Sequence, residues 1–189
     1  MRKKRLQTIT AILLLAIMVS SMPTKLLAKG ATSGWSGYTD VSWRYDSATH
    51  TLYLSGKGPT RDYSYGDDAP APEWDHLSGK VERIVIGKGV TRLGDCAFYG
   101  MDKLKEVVIP NTVKSMGYGV FDEAWDGVMT KITLPQGLKN IPQSCFFDRR
   151  KLEKVNIPNS VTKIGQDAFI GCGLKKVIIP NSVKTIGVS

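Results

Sequence analysis

The chain has 189 residues, with 26 basic and 17 acidic side chains and a formal net charge of +9. Five of the basic residues and none of the acidic ones lie within the first 28 residues, so the remainder carries a net charge of only +4. This modest surplus does not indicate a nucleic-acid-binding protein, and Cys96, Cys145 and Cys172 are too few and too scattered for a disulfide framework.

The chain begins with the features of a secretory signal peptide. A basic head at residues 1–5 is followed by an apolar run over 9–19 and by polar and turn residues up to Ala28. This order predicts export, with cleavage after Ala28. The alternative is a membrane anchor, but the run is shorter than the roughly 20 residues that span a bilayer. We expect a secreted protein, released or associated with the cell surface, with no membrane insertion once residues 1–28 are removed.

Residues 29–80 have the pattern of a small β structure. Alternating segments over 39–45 and 51–54, with a turn at 47–49 between them, predict a β-hairpin. Aromatic residues crowd this region: Trp35, Trp43, Tyr45, Tyr53, Tyr63, Tyr65 and Trp74. We interpret them as the core of a small domain. The alternative is a surface on which sugar rings stack.

Residues 81–189 contain five repeats. The units begin at residues 81, 104, 129, 152 and 174, which are 23, 25, 23 and 22 residues apart, and the last unit is incomplete. An apolar residue recurs at the fourth, sixth, tenth and thirteenth positions, as in Val155, Ile157, Val161 and Ile164. The eighteenth position of the first four units is phenylalanine: Phe98, Phe121, Phe146 and Phe169. Such self-similarity is typical of proteins in which each unit stacks on its neighbours.

The periodicity predicts the shape of one coil. Apolar residues at positions four and six predict a short strand with one inward face, prolines at position seven end it, and glycines at position fourteen mark a second bend. The predicted fold is a right-handed solenoid with a parallel sheet on its concave face and short irregular or helical return segments. The four phenylalanines form its core, and residues 29–80 form an N-terminal β cap that covers the exposed strand edges.

The unit LEKVNIPNSVTKIGQDAF, residues 152–169, resembles the BspA-like leucine-rich repeats of bacterial surface and secreted proteins. The pattern LxxVxIPxxVxxIGxxAF covers residues 81–189, and the segment VSWRYDSATHTLYLSGKG, residues 41–58, is similar to the N-terminal cap of such proteins. The resemblance implies a leucine-rich-repeat solenoid and a role in adhesion or host interaction, without shared catalytic residues. It implies no particular ligand.

The outward positions of the predicted sheet form a candidate binding face. The third and fifth positions carry Arg83, Glu106, Lys131, Lys154 and Lys176, with Thr133 and Asn156 beside the lysines. The three lysines suggest an acidic partner, such as a sulfated glycan or an acidic protein surface. The alternative is a solvated row that protects the sheet. In the longest unit, Trp125 is a candidate contact residue on a bulging loop; alternatively, it folds over the repeat edge.

The sequence offers no catalytic constellation. Its two histidines, His50 and His76, lack a companion such as HExxH, and no phosphate-binding or dinucleotide motif is present. We interpret Glu73 and Asp75 as parts of a solvated polar loop rather than an ion site, and the cysteines as small buried residues. We predict no enzyme activity, metal or cofactor. Three hypotheses follow: a binding or adhesion module, a spacer that self-associates through an open C-terminal edge, and a carbohydrate-binding cap.

Overall fold

The computed structural model describes residues 32–35, 39–65, 70–122 and 127–188. The predicted signal peptide and Trp125 lie outside these ranges. Within them, no helix is long and apolar enough to cross a membrane. The helical structure of the same ranges is one 3₁₀ turn, Asp75–Leu77, so the described part of the chain consists of short strands and turns.

The described residues form twelve strands, most of them two to four residues long. Three precede the repeats: β1 (Thr32–Trp35), β2 (Asp40–Asp46) and β3 (Thr51–Pro59). The first two units contribute β4 (Arg83–Ile86), β5 (Val90–Leu93), β6 (Glu106–Val108) and β7 (Ser115–Met116). The later units contribute β8 (Lys131–Thr133), β9 (Asn140–Ile141), β10 (Lys154–Asn156), β11 (Lys163–Ile164) and β12 (Thr185–Ile186).

β2 and β3 form an antiparallel hairpin, with Trp43 opposite Leu54, at the residues where the alternating pattern predicts one. β1 pairs antiparallel with the other edge of β2. β3 also pairs in parallel with β4, which places Leu52 beside Ile84, and its C-terminal end pairs with β5. The hairpin therefore supplies the strand edge to which the first repeat is added.

Corresponding strands of successive repeats pair in parallel and in equivalent register. β4 pairs with β6, and β8 with β10, so that Val155 lies beside Ile132. The second strands follow the same rule, with β5 on β7 and β9 on β11 on β12. Among the described residues, no ladder joins β6 to β8 or β7 to β9. This interruption follows the 25-residue unit, where the regular spacing of the repeats changes.

The remaining side of each coil, here named the turn wall, consists of residues 95–100, 118–122, 143–148 and 166–171. Its backbone-to-backbone hydrogen bonds between units run from the earlier unit to the later one: the Phe98 N–H donates to the Val120 carbonyl at 3.0 Å and the Phe146 N–H to the Ala168 carbonyl at 2.9 Å. The sixteenth position of the first four units is left-handed, with φ of 51, 54, 52 and 55° at Cys96, Gly119, Ser144 and Asp167. Non-glycine residues lose roughly 1–2 kcal/mol in this conformation. Contacts between neighbouring coils therefore impose the turn.

The repeat phenylalanines lie in one stack. From Phe98 to Phe169 the ring centroids are 5.5, 5.7 and 5.5 Å apart, and Trp74 extends the stack with a spacing of 6.0 Å to Phe98. Phe98, Phe121 and Phe146 are fully buried, and Phe169 is half-buried against the same core. Because burying one such ring contributes roughly 1.5–3 kcal/mol, this column is a main source of stability for the repeats.

The glycines at position fourteen allow a repeat unit to lie against the backbone of the segment that precedes it. A β-carbon on Gly94 would overlap the carbonyl oxygen of Arg61, and one on Gly165 would overlap the backbone nitrogen of Gln143. Neither glycine has a positive φ, so a special bend does not require them. Glycine is required because two backbones approach closely at these positions. The interpretation of these glycines as markers of a bend did not identify this reason.

We predict that Gly94→Ala lowers the free energy of unfolding by about 1–3 kcal/mol, because the added methyl group forces two backbones apart. Urea unfolding monitored by circular dichroism measures this change. Gly79→Ala is the matched control, because a β-carbon there has no heavy atom within 4 Å. Equal losses in the two variants would contradict the close-contact explanation.

The fifth unit departs from the pattern of the other four. Val177 and Ile179, which the periodicity places inward, are 37% and 45% exposed, so the prediction of burial is wrong for these two residues. The segment 174–180 forms no strand and makes no backbone hydrogen bond to β10. It therefore stands away from the fourth unit, while β12 remains paired with β11.

Candidate binding face

The lysine row, defined as Lys131, Lys154 and Lys176, lies on the surface formed by the first strands of the repeats. Lys131 and Lys154 begin β8 and β10, and the buried Ile132 and Val155 that follow them point their side chains to the opposite face. All three lysines are exposed. The structure thus brings Lys131 and Lys154 together on adjacent strands and places Lys176 beyond them, in the segment 174–180.

The N-terminal part of the same surface is electrically neutralised. Arg83 lies directly opposite Glu106 in the ladder of β4 and β6, with 3.2 Å between Nε and Oε2. One position earlier, Lys105 forms an ion pair with Glu82 at 2.7 Å. The five charged residues of the predicted face therefore divide into a paired Arg83–Glu106 and the lysine row.

The lysine row is unfavourable for the folded chain taken alone. Lys131 is directly opposite Lys154 in a parallel ladder. Within the described ranges, none of the three lysines has an acidic group within 4 Å. Thr133 and Asn156, also opposite each other, are exposed beside them. Like charges at facing positions destabilise a sheet, so Lys131 and Lys154 repel each other, while the Glu153 carboxylate attracts Lys154 from beside it.

The positive charge is concentrated in the C-terminal repeats. Residues 129–189 contain ten basic and three acidic side chains, a formal net charge of +7, whereas residues 29–128 carry −3. A second group of exposed lysines, Lys139, Lys163 and Lys184, lies along the wall of β9, β11 and β12. The net positive charge of residues 29–189 therefore comes from the last three units.

An open groove of about 550 Å³ separates β10 from the segment 174–180. Its apolar lining includes Val155, Ile157 and Ile178, and Lys154 and Lys176 from the lysine row border it. Lys175 forms an ion pair with Glu153 at 2.6 Å, linking the two sides through their side chains. The groove thus combines an apolar lining with a cationic border.

The aromatic residues of the hairpin region pack inward. Trp74 is fully buried, and its Nε1 donates to the Ala97 carbonyl at 2.8 Å. Trp43, Tyr45 and Tyr63 are at most 5% exposed. The hypothesis of a sugar-stacking surface is therefore wrong for these four residues, because protein atoms cover their rings.

The three cysteines are free and lie at inner positions. Burial raises the pKa of the Cys96 thiol to about 11 and that of Cys172 to about 12, and it raises the pKa of the fully buried Cys145 well above its ordinary value. A thiol attacks as the thiolate, so these groups are unsuited to nucleophilic catalysis near neutral pH. In the described part of the chain, no three His, Cys, Asp or Glu residues are grouped so as to hold a metal ion.

No local sequence pattern predicts the burial of Arg149, which is 1% exposed. Its Nε donates to the Phe121 carbonyl at 2.6 Å and its guanidinium also donates to the Met101 carbonyl at 3.1 Å. The adjacent Arg150 is exposed and pairs with Asp148. Nothing in the sequence distinguishes the two arginines, and the buried one ties the third unit to the backbone of earlier units.

Solved structures of bacterial repeat proteins are similar to this fold. A leucine-rich repeat protein from Eubacterium ventriosum ATCC 27560 matches 84% of this chain with a TM-score of 0.66 and 21% identity. A leucine-rich cell surface protein from Faecalibacterium prausnitzii A2-165 matches 89% of it with a TM-score of 0.47 and 20% identity. The chain spans 40% of the first protein's length and 52% of the second's.

A comparison with protein families also identifies repeats in this chain. A search of curated proteins finds no match to the chain. The model of the BspA type leucine-rich repeat region matches residues 76–189 in six copies, one more than the five units that the sequence pattern predicts. Because this match covers more than half of the sequence, the chain belongs to the BspA-type leucine-rich repeat family.

Proposed function

We propose that this protein is a binding module whose lysine row recognises an acidic partner on the concave face of a repeat solenoid. The observation that carries the proposal is the position of Lys131 directly opposite Lys154, with both side chains exposed. Because neighbouring like charges repel, a bound anion would remove a repulsion present in the free protein. The exposed Thr133 and Asn156 add hydrogen-bonding groups beside the charges.

The partner is expected outside the cell. Residues 1–28 have the charge and apolar order of an export signal, and the proposal includes either release or association with the cell surface. The hairpin region acts as the N-terminal cap, since β3 covers the edges of β4 and β5. The proposed role is adhesion or another form of recognition rather than catalysis.

The size of the lysine row limits the affinity of one molecule. Neighbouring strands lie about 4.8 Å apart, so a row that crosses three units is on the order of 10 Å long. A standard interface covers roughly 800 Å² on each partner. We therefore expect weak binding by one copy and stronger binding when several copies engage one polyvalent surface.

Replacing Lys131, Lys154 and Lys176 with glutamate should reduce binding to acidic ligands by at least about tenfold, because three attractive charges become repulsive. The measurement is binding of the folded chain to sulfated glycans and acidic proteins at low and physiological salt. Added salt should weaken the wild-type interaction, since exposed charges are screened.

The second lysine group provides a matched control. Replacing Lys139, Lys163 and Lys184 with glutamate changes the net charge by the same amount on the wall of β9, β11 and β12. This variant should retain most of the binding, and thermal unfolding should show that both variants are folded. An equal loss in the two variants would refute the assignment to the lysine row and indicate a response to net charge alone.

The second candidate function, self-association, is favoured by apolar side chains at the C-terminal end of the described repeats. Ile178, Ile186 and Val188 are 73%, 55% and 81% exposed. Exposed apolar surface of this kind is typical of protein–protein contacts. Sedimentation velocity over a range of concentrations separates the two functions, because only an assembly unit should grow in size with concentration, and Ile186→Glu should then reverse that growth.

A further inference from the structure

The groove leaves one edge of β10 without a strand partner. Where the regular ladders begin, an N–H of the later unit donates to the earlier unit, as the Lys105 N–H does to the Glu82 carbonyl at 2.8 Å and the Glu153 N–H to the Thr130 carbonyl at 2.9 Å. The equivalent bonds from Lys175 and Lys176 to Glu153 are missing from these described segments. The side-chain ion pair between Lys175 and Glu153 bridges the gap between these segments.

The gap leaves the backbone N–H and C=O of Val155 on the unpaired edge of β10. The Lys154 N–H is directed to the β8 side, where it donates to the Thr130 carbonyl at 3.2 Å. Successive residues of a strand direct their N–H and C=O groups to opposite edges. The N–H and C=O of Val155 therefore face the groove, although the residue as a whole, backbone included, is only 7% exposed and packs in the core.

We propose that an extended, acidic peptide segment of a protein partner binds in this groove as an additional parallel or antiparallel strand on β10. The inference rests on the proposed function and names its partner class. Main-chain hydrogen bonds to Val155 hold the segment, as in other complexes formed by strand addition. Its outward side chains meet Lys154 and Lys176, and its inward side chains meet the apolar lining at Val155 and Ile178.

The alternating side chains of an extended peptide match the apolar lining and the lysine border of the groove. In an extended peptide, every second side chain points to the same face. Acidic residues at one set of positions lie beside the lysines, and apolar residues at the other set fill the space that a regular fifth strand would occupy. A sulfated glycan supplies the negative charge but not the peptide N–H and C=O groups that match the edge of β10. The groove therefore favours a peptide over a glycan.

The test uses the full chain and a ten-residue synthetic peptide of alternating glutamate and valine. Two analogues, N-methylated at the glutamates or at the valines, keep every charge but remove the N–H groups of one strand edge. We expect salt-sensitive binding of the parent peptide and at least about tenfold weaker binding of one analogue. Hydrogen exchange of the Val155 amide should slow at least about tenfold in the complex, whereas that of Lys154, already bonded to Thr130, should change little.

The outcomes separate this inference from the proposed function. If both analogues bind as well as the parent peptide and the Val155 exchange rate is unchanged, strand addition is wrong, while binding to the lysine row stands. If sulfated dextran binds through the lysine row and the peptide does not, the peptide inference is again overturned. If neither probe binds in a manner sensitive to the Lys131, Lys154 and Lys176 substitutions, the proposed function fails as well.

Discussion

Replacing Phe146 with alanine should lower the free energy of unfolding by about 3–5 kcal/mol. The ring is fully buried and stacks on Phe121 at 5.7 Å and on Phe169 at 5.5 Å. Removing it leaves a cavity inside the column. The backbones on either side resist collapse into that cavity, because the Phe146 N–H donates to Ala168 and the Phe121 N–H to Cys145 at 2.9 and 3.0 Å. Urea unfolding monitored by far-ultraviolet circular dichroism measures the loss.

The neighbouring Phe147 provides the control for this substitution. It carries the same side chain on the same turn wall but is 36% exposed. Phe147→Ala should therefore cost much less than Phe146→Ala, because less apolar area is removed from contact with protein. Similar losses in the two variants would show that the stack at position eighteen is not a special source of stability.

Arg149→Met should lower the free energy of unfolding by about 2–4 kcal/mol. Methionine keeps much of the apolar stem but removes the donors that bond the Phe121 and Met101 carbonyls. Hydrogen bonds to a charged group contribute roughly 1.5–3 kcal/mol each, and a buried carbonyl left without a donor adds a desolvation cost. The same urea experiment measures the effect.

Arg150→Met is the matched variant for Arg149. Arg150 is exposed, and its ion pair with Asp148 at 3.1 Å lies at the surface. Such pairs contribute roughly 0–1 kcal/mol, so this substitution should have a small effect. Full stability of Arg149→Met would mean that burial of the guanidinium costs as much as its hydrogen bonds contribute, and that Arg149 does not tie the units together.

The sequence allowed much of the repeat architecture to be predicted, because the same position means the same environment in each unit. Phenylalanine at position eighteen pointed to a common core location, and the third position pointed to one surface. The facing pair Arg83 and Glu106 follows from that register, since a 23-residue offset brings corresponding residues of parallel strands side by side.

Departures from the average repeat could not be predicted in the same way. Val177 and Ile179 have the residue types of inward positions, but burial also requires a neighbouring strand in contact, and the segment 174–180 stands away from β10. The groove at the end of the lysine row arises from that separation. Arg149 was missed because its burial depends on carbonyls from two other units, which no local pattern records.

The one-way hydrogen bonds of the turn wall fix the direction in which units can be combined. The three described junctions on this wall repeat one bond, which at the first joins the Phe98 N–H to the Val120 carbonyl. Later junctions join Phe121 to Cys145 and Phe146 to Ala168 in the same sense. A whole unit duplicated or deleted in the same orientation would meet the donors and acceptors it needs, whereas an inverted unit would set N–H against N–H. Duplication or deletion of whole repeats can therefore lengthen or shorten such a protein while the hydrogen bonds of the turn wall stay paired.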